Sequence, residues 1–152
     1  MTVRSGDLEG LEGLHSEALG VFCWSDLRPL AGVAGFLDWR LCGALSRALI
    51  SEQFRGDVNE SMLMPVQSRL HLQRVFVFGL GQIREFNRER AVEVCGAAID
   101  VLVKAGVEKI CLAVPTHRPD PSKALTFLNV IDEIARDSVH SVLVEPSLVA
   151  PD

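Results

Sequence analysis

No apolar run in this chain approaches the roughly 20 residues needed to cross a bilayer. The opening MTVRSGDLEG also lacks the apolar core of a signal peptide. Together these absences lead to the expectation of a cytoplasmic protein that makes no use of a membrane. Basic charge is scarce as well: Lys and Arg total 15 against 20 for Asp and Glu, a formal net charge of -5. That balance argues against the clustered positive footprint a nucleic acid backbone requires, so nucleic acid is not an expected partner. Paired cysteines are missing too. Cys23, Cys42, Cys95 and Cys111 lie far apart inside apolar segments such as GVFCW and KICLAV. They form no CxxC or Cys/His cluster, so they read as buried, reduced thiols. His15, His71, His117 and His140 are scattered, and no HExxH occurs. Serines such as Ser46 and Ser61 stand outside any GxSxG elbow. Catalytic residues, metal ligands and cofactors are therefore all expected to be none.

What remains is an ordinary globular composition. With 152 residues, 48% of them hydrophobic and 23% charged, the chain reads as one domain spanning 1–152. Ala18 to Trp24 is a short apolar run followed by SDLRP, which predicts a buried strand and a loop running to about Gly35. Apolar residues at helical spacing then predict one amphipathic helix from Phe36 to about Ile50, with Gly43 inside it. SMLMPV reads as a strand that Pro65 confines to an edge or a strand end. Gln73 to Leu80, QRVFVFGL, is the clearest buried strand. Asn87 caps a helix through Ala105, and Gly106 closes it. A strand at Lys109 to Val114, a helix from Pro121 and Ser122 through Ile134 and a strand at Ser141 to Val144 complete the order. The two ends, MTVRSGDLEG and LVAPD, look loose, although Thr2 to Arg4 could form a short strand. Strands alternating with helices predict an α/β fold of three layers, with a mostly parallel mixed sheet, helices on both faces and an antiparallel element near residues 60 to 79.

Three phrases, LDWRLCGALSRAL, RVFVFGLGQ and FNRERAVEVCGAAIDVLVKAGVEKICLAVP, together resemble the amino-terminal domain of leucyl aminopeptidases over most of the chain. The resemblance implies a macro-domain-like fold. It places peptidase chemistry in a separate carboxy-terminal domain with two metal ions and an Asn-Thr-Asp-Ala-Glu-Gly-Arg signature. Nothing of that form occurs between Met1 and Asp152, so peptidase activity does not carry over. The expected role is a non-catalytic assembly or regulatory module that self-associates or binds another protein, such as a separate aminopeptidase catalytic chain. Helix faces with Trp39 or Phe127 are its expected contacts. The alternatives are a macro-type binder of ADP-ribose or a related nucleotide, and the non-catalytic half of a split aminopeptidase.

A binder would use a concave pocket between two loops. One is the loop from Asp26 to Gly35, whose end, LAGVAGF leading into the Phe36 helix, retains Gly32 and Gly35 but not a consecutive glycine run; the other is the turn Gly79-Leu80-Gly81. The full dinucleotide pattern is not met, because Arg84 stands where its next glycine belongs. Arg28, Asp38 and Arg40, with Asp26, gather polar groups at the same loop, either for a ligand or as a surface ion-pair set. The candidate ligand residues are thus Arg28, Gly32, Gly35, Asp38, Arg40, Gly79 and Gly81.

Overall fold

The structure, a computed structural model, describes residues 1–117 and 120–149. The strands are β1 (Thr2–Ser5), β2 (Ser16–Trp24), β3 (Ser61–Met64), β4 (Leu72–Gly81), β5 (Ile110–Ala113) and β6 (Val139–Val144). The helices are α1 (Leu8–Glu12), α2 (Gly32–Arg40), α3 (Ala44–Ile50), α4 (Arg88–Lys104) and α5 (Ser122–Ala135). One sheet runs in the order β1-β6-β5-β2-β4-β3, and only β3 pairs antiparallel, on β4. This is the three-layer α/β fold that the alternating pattern predicts.

Alternation along the central strands divides the apolar side chains between two cores. From β2, Ala18, Phe22 and Trp24 face α4 and α5, while Leu19, Val21 and Cys23 face α2 and α3. β4 repeats the division with Phe76, Phe78 and Leu80 against Val75 and Val77. A strand buried on both faces has no polar side to show, which is why both segments read as continuous apolar runs. α4 starts where Asn87 accepts the Arg90 N–H at 2.8 Å. It ends in a Schellman turn, with Gly106 at φ 81° and Val107 N–H donating to the Leu102 carbonyl at 3.0 Å.

Several expectations need correction. The single helix from Phe36 to Ile50 is two helices, because Cys42 (φ 56°) and Gly43 (φ 81°) both adopt left-handed backbone that the interior of an α-helix cannot contain. The first helix starts at Gly32, so Gly32 and Gly35 lie within α2 and not in a loop before it. The amino-terminal segment is not loose: β1 pairs with β6, and Asp7 caps α1 by accepting the Gly10 N–H at 2.7 Å. Cys42 is exposed, unlike the other three thiols. Phe127 is fully buried and presents no contact face. Of the LVAPD tail, residues 150–152 lie outside the described residues.

Candidate functional site

In an open α/β sheet, ligands bind beyond the carboxyl ends of the strands at the point where strand order reverses. Here that point lies between β2 and β5. Trp24 is the last residue of β2, 3% exposed, and its indole N–H donates to the Thr116 carbonyl oxygen at 3.1 Å. Phe86 packs edge-on against the Trp24 ring at 5.1 Å. On the other side of the crevice the Thr116 hydroxyl donates to Glu145 at 2.6 Å. Gly32 opens α2 at φ 62°, and a Cβ there would stand 2.8 Å from Thr116 Cγ2. The first turn of α2 therefore rests directly on the exit of β5.

The space left between β2, β5 and the Leu27–Ala34 segment is about 20 Å³, room for roughly one water. A second recess of about 140 Å³ lies alongside, bordered by Asp7, Gly32, Phe36, Thr116 and Glu145. Both fall below the roughly 300–1,000 Å³ of small-molecule pockets.

The residues singled out by sequence are dispersed around this crevice. Arg28 donates to the carbonyls of Trp24 (3.1 Å), Leu27 (2.8 Å) and Arg55 (3.5 Å). Asp26 accepts the Ile83 N–H at 3.0 Å. Both fasten the β2 exit to its neighbours. Gly35 lies where a Cβ would approach the Leu30 carbonyl oxygen to 2.8 Å. Asp38 accepts the Ser46 N–H at 3.0 Å and the Ser46 hydroxyl at 2.5 Å, serving the first turn of α3. Arg40 pairs with Glu12 at 3.4 Å and donates to the Arg69 carbonyl at 2.7 Å. No ion-pair set joins Arg28, Asp38 and Arg40 among the described residues; each has other partners.

Gly79 and Gly81 sit apart from Gly32. A Cβ at Gly79 would meet the Asp57 carbonyl oxygen at 1.9 Å, and one at Gly81 (φ 78°) would meet Arg90 Nη1 at 2.6 Å and Val58 Cγ2 at 2.9 Å. Their carbonyl and amide groups are also engaged: Gly79 N–H donates to Glu60, Gly81 N–H donates to Gly56, and Ser25 N–H donates to Gly81. These glycines admit the 56–60 segment against β4. The two recesses described above are lined from the 27–36 segment and not by Gly79 or Gly81. Sequence reasoning missed Trp24 and Thr116 as partners; a polar Thr three residues beyond the end of a buried strand was the one available signal.

Buried thiols bring no reactivity to the crevice. Burial pushes Cys23 and Cys95 up to about 12, and Cys111 is also raised by burial. Among the described residues no group of three or more His, Cys, Asp or Glu side chains is placed to hold a metal ion, and no helix is long and apolar enough to cross a membrane.

A family model described as the cytosol aminopeptidase family, N-terminal domain, matches residues 18–142. A probable cytosol aminopeptidase of Synechocystis sp. is 23% identical over 84% of this chain and 26% of its own length. One of Geotalea uraniireducens is 31% identical over 59% of this chain and 18% of its own. The chain thus spans between about a fifth and a quarter of the length of these curated relatives. Among solved structures, a tomato leucine aminopeptidase mutant superposes with TM-score 0.66 at 15% identity, covering 99% of this chain and 33% of that one. The macrodomain of Mycobacterium tuberculosis DarG superposes with TM-score 0.64 at 13% identity, covering 95% and 97%. Thermosipho africanus DarTG in complex with ADP-ribose gives 0.56 at 8% identity, covering 90% and 40%. At such identities the likeness is one of fold, and that fold is macrodomain-like.

Proposed function

The chain belongs to the cytosol aminopeptidase family, matching its N-terminal domain, and from that premise we propose that it is a non-catalytic assembly or regulatory module that binds protein. Its partner is a second copy of itself or another protein, a separate aminopeptidase catalytic chain included, and its setting is the cytoplasm. The observation that carries this reading is the narrow crevice: about 20 Å³ remain where Gly32 rests on Thr116 and Trp24 ties β2 to β5. That is less room than the roughly 300–1,000 Å³ of small-molecule pockets. Apolar side chains meanwhile stand in solvent, with Trp39 66% and Ile50 83% exposed, and we assign the partner contact to the helices that carry them.

The test combines light scattering, co-purification with aminopeptidase chains and thermal shift on the same protein. We expect a discrete oligomer or a stable complex, with no effect of ADP-ribose. A nucleotide site with Kd of ~10 µM would gain about 2.7 kcal/mol at ~1 mM ligand, a rise of several degrees in Tm for a domain of this size. Such a rise would replace this reading with the macro-type binder. A persistent monomer that associates with no aminopeptidase chain would overturn it, as would hydrolysis of a leucine anilide by the purified chain.

A further inference from the structure

β3 is an edge strand of four residues; its shortness is one guard against pairing, but no charged side chain or proline stands within it. Ser61–Met64 has no charged residue, and Pro65 comes only after its end. The Glu60 carbonyl accepts the Gly79 N–H at 3.0 Å, and the register pairs Ser61 with Phe78 and Leu63 with Phe76. Backbone groups alternate in direction along an antiparallel ladder. Met62 and Met64 therefore turn theirs toward β4, and Ser61 and Leu63 turn theirs outward.

Side chains alternate as well. Ser61 and Leu63 share the α4 face of the sheet with Phe78 and Phe76, and Leu63 is 56% exposed there. Beside Ser61 lies an indentation of about 60 Å³, with Phe78, Gly79, Val94, Ala97 and Val101 forming its apolar floor and Asn59 and Glu60 at its polar rim. The edge thus offers an apolar knob at Leu63 and, two residues away, a hollow with an apolar floor and a polar rim.

The geometry points to β3 as the seam of a symmetric dimer, in which β3 of a second copy pairs antiparallel with it. This deepens the assembly reading above and rests on it. A two-fold axis normal to the sheet keeps each face on its own side, so opposed residues must have the same parity. Setting Ser61 opposite Leu63 of the second copy, with Met62 opposite its own counterpart, meets that condition. This register lets every outward N–H and C=O of Ser61 and Leu63 exchange hydrogen bonds, and it needs no donor from Pro65, which has none. It also lays each Leu63 across the small Ser61 of the other copy, at the mouth of the 60 Å³ hollow. In this register the knob of each copy meets the hollow of the other, so the two-fold makes the contact twice, which favours a second copy over an unrelated peptide. The seam is short, so the dimer should be concentration-dependent.

The test is sedimentation velocity across a concentration series on the wild-type chain and Leu63→Lys, with circular dichroism and Tm as folding controls. The wild-type chain should move from monomer to dimer as concentration rises, and Leu63→Lys should stay monomeric with unchanged Tm. Independently, Met62→Cys in a Cys42→Ser background should form a disulfide-linked dimer on mild oxidation. Directly opposed residues at such a non-hydrogen-bonded pair have Cα atoms about 4.5 Å apart, within disulfide reach. Val103→Cys, exposed on α4, should not cross-link in the same background. A wild-type chain that stays monomeric at all concentrations overturns the β3 seam, while the broader reading stands if an aminopeptidase chain still binds. A dimer that Leu63→Lys does not weaken and Met62→Cys does not trap also overturns the seam and leaves self-association through another surface.

Discussion

A methyl group at Gly79 would overlap the Asp57 carbonyl oxygen at 1.9 Å and the Gly56 carbonyl carbon at 2.6 Å. Backbone cannot swing aside as a side-chain tip can, so Gly79→Ala must push the 56–60 segment off β4. Overpacking of this kind costs about 1–3 kcal/mol or more, and urea unfolding should place Gly79→Ala at the upper end. Gly96 is the opposite case. It lies inside α4 with no atom within 4 Å of an added Cβ, so Gly96→Ala should raise stability by about 0.5–1 kcal/mol in the same experiment. Glu17 supplies a pH dependence. Its carboxylate accepts the N–H groups of Lys109 (2.6 Å) and Glu108 (2.7 Å). The Lys109 bond is the foremost cause of a pKa below the usual 4.5, with burial opposing it and the Glu108 bond, Arg74 and the Lys109 charge assisting. A depressed carboxyl adds stability that is fully present above the unfolded-state value and disappears as pH falls through the folded one. Glu17→Gln should accordingly be less stable than wild type at pH 7, and urea titrations should show that gap narrowing as pH falls below about 4.5.

At the scale of elements, the joint between α2 and α3 depends on one side chain. Asp38, near the end of α2, satisfies the Ser46 N–H in the first turn of α3, a donor that no carbonyl of α3 can reach. Asp38→Ala should cost about 1 kcal/mol, as lost helix caps do, and thermal denaturation would register it; Asp38→Asn should recover part of the loss. This joint also marks where the sequence stopped being readable. β2 and β4 announce themselves as unbroken apolar runs because both faces are covered. α4 announces itself through Asn87 and Gly106, which act within a few residues of where they stand. Apolar spacing passes smoothly through LCGALSRALI, however, and nothing local says that Cys42 joins Gly43 in left-handed backbone. α1 is five residues long, too short for periodicity to register. The crevice was less legible still. Its narrowness depends on Trp24 reaching Thr116, a partner 92 residues away, whereas the glycines that drew attention at Gly79 and Gly81 answer to the crowding of the 56–60 segment.

For the molecule as a whole, two apolar cores share one sheet, and the residues of β2 and β4 belong to both. Loosening either core exposes the back of the other, so urea unfolding should be a single cooperative transition with coincident circular dichroism and fluorescence. The tryptophans offer a sharper check, because Trp24 is 3% exposed and Trp39 66%. Acrylamide should quench two populations in the native chain, and Trp39→Phe should abolish the accessible one with little change in Tm. If the partner surface includes Trp39, that same population should become protected on assembly. The distribution of sulfur follows a similar division. Three thiols are buried, two of them with pKa values near 12, while Cys42 stands in solvent on its tight turn, three residues from Trp39. The native chain therefore carries a ready-made handle for single-site chemistry: a maleimide dye should attach once per molecule at neutral pH, at a known place beside an indole, and report on that helix joint without any cysteine having to be removed or introduced.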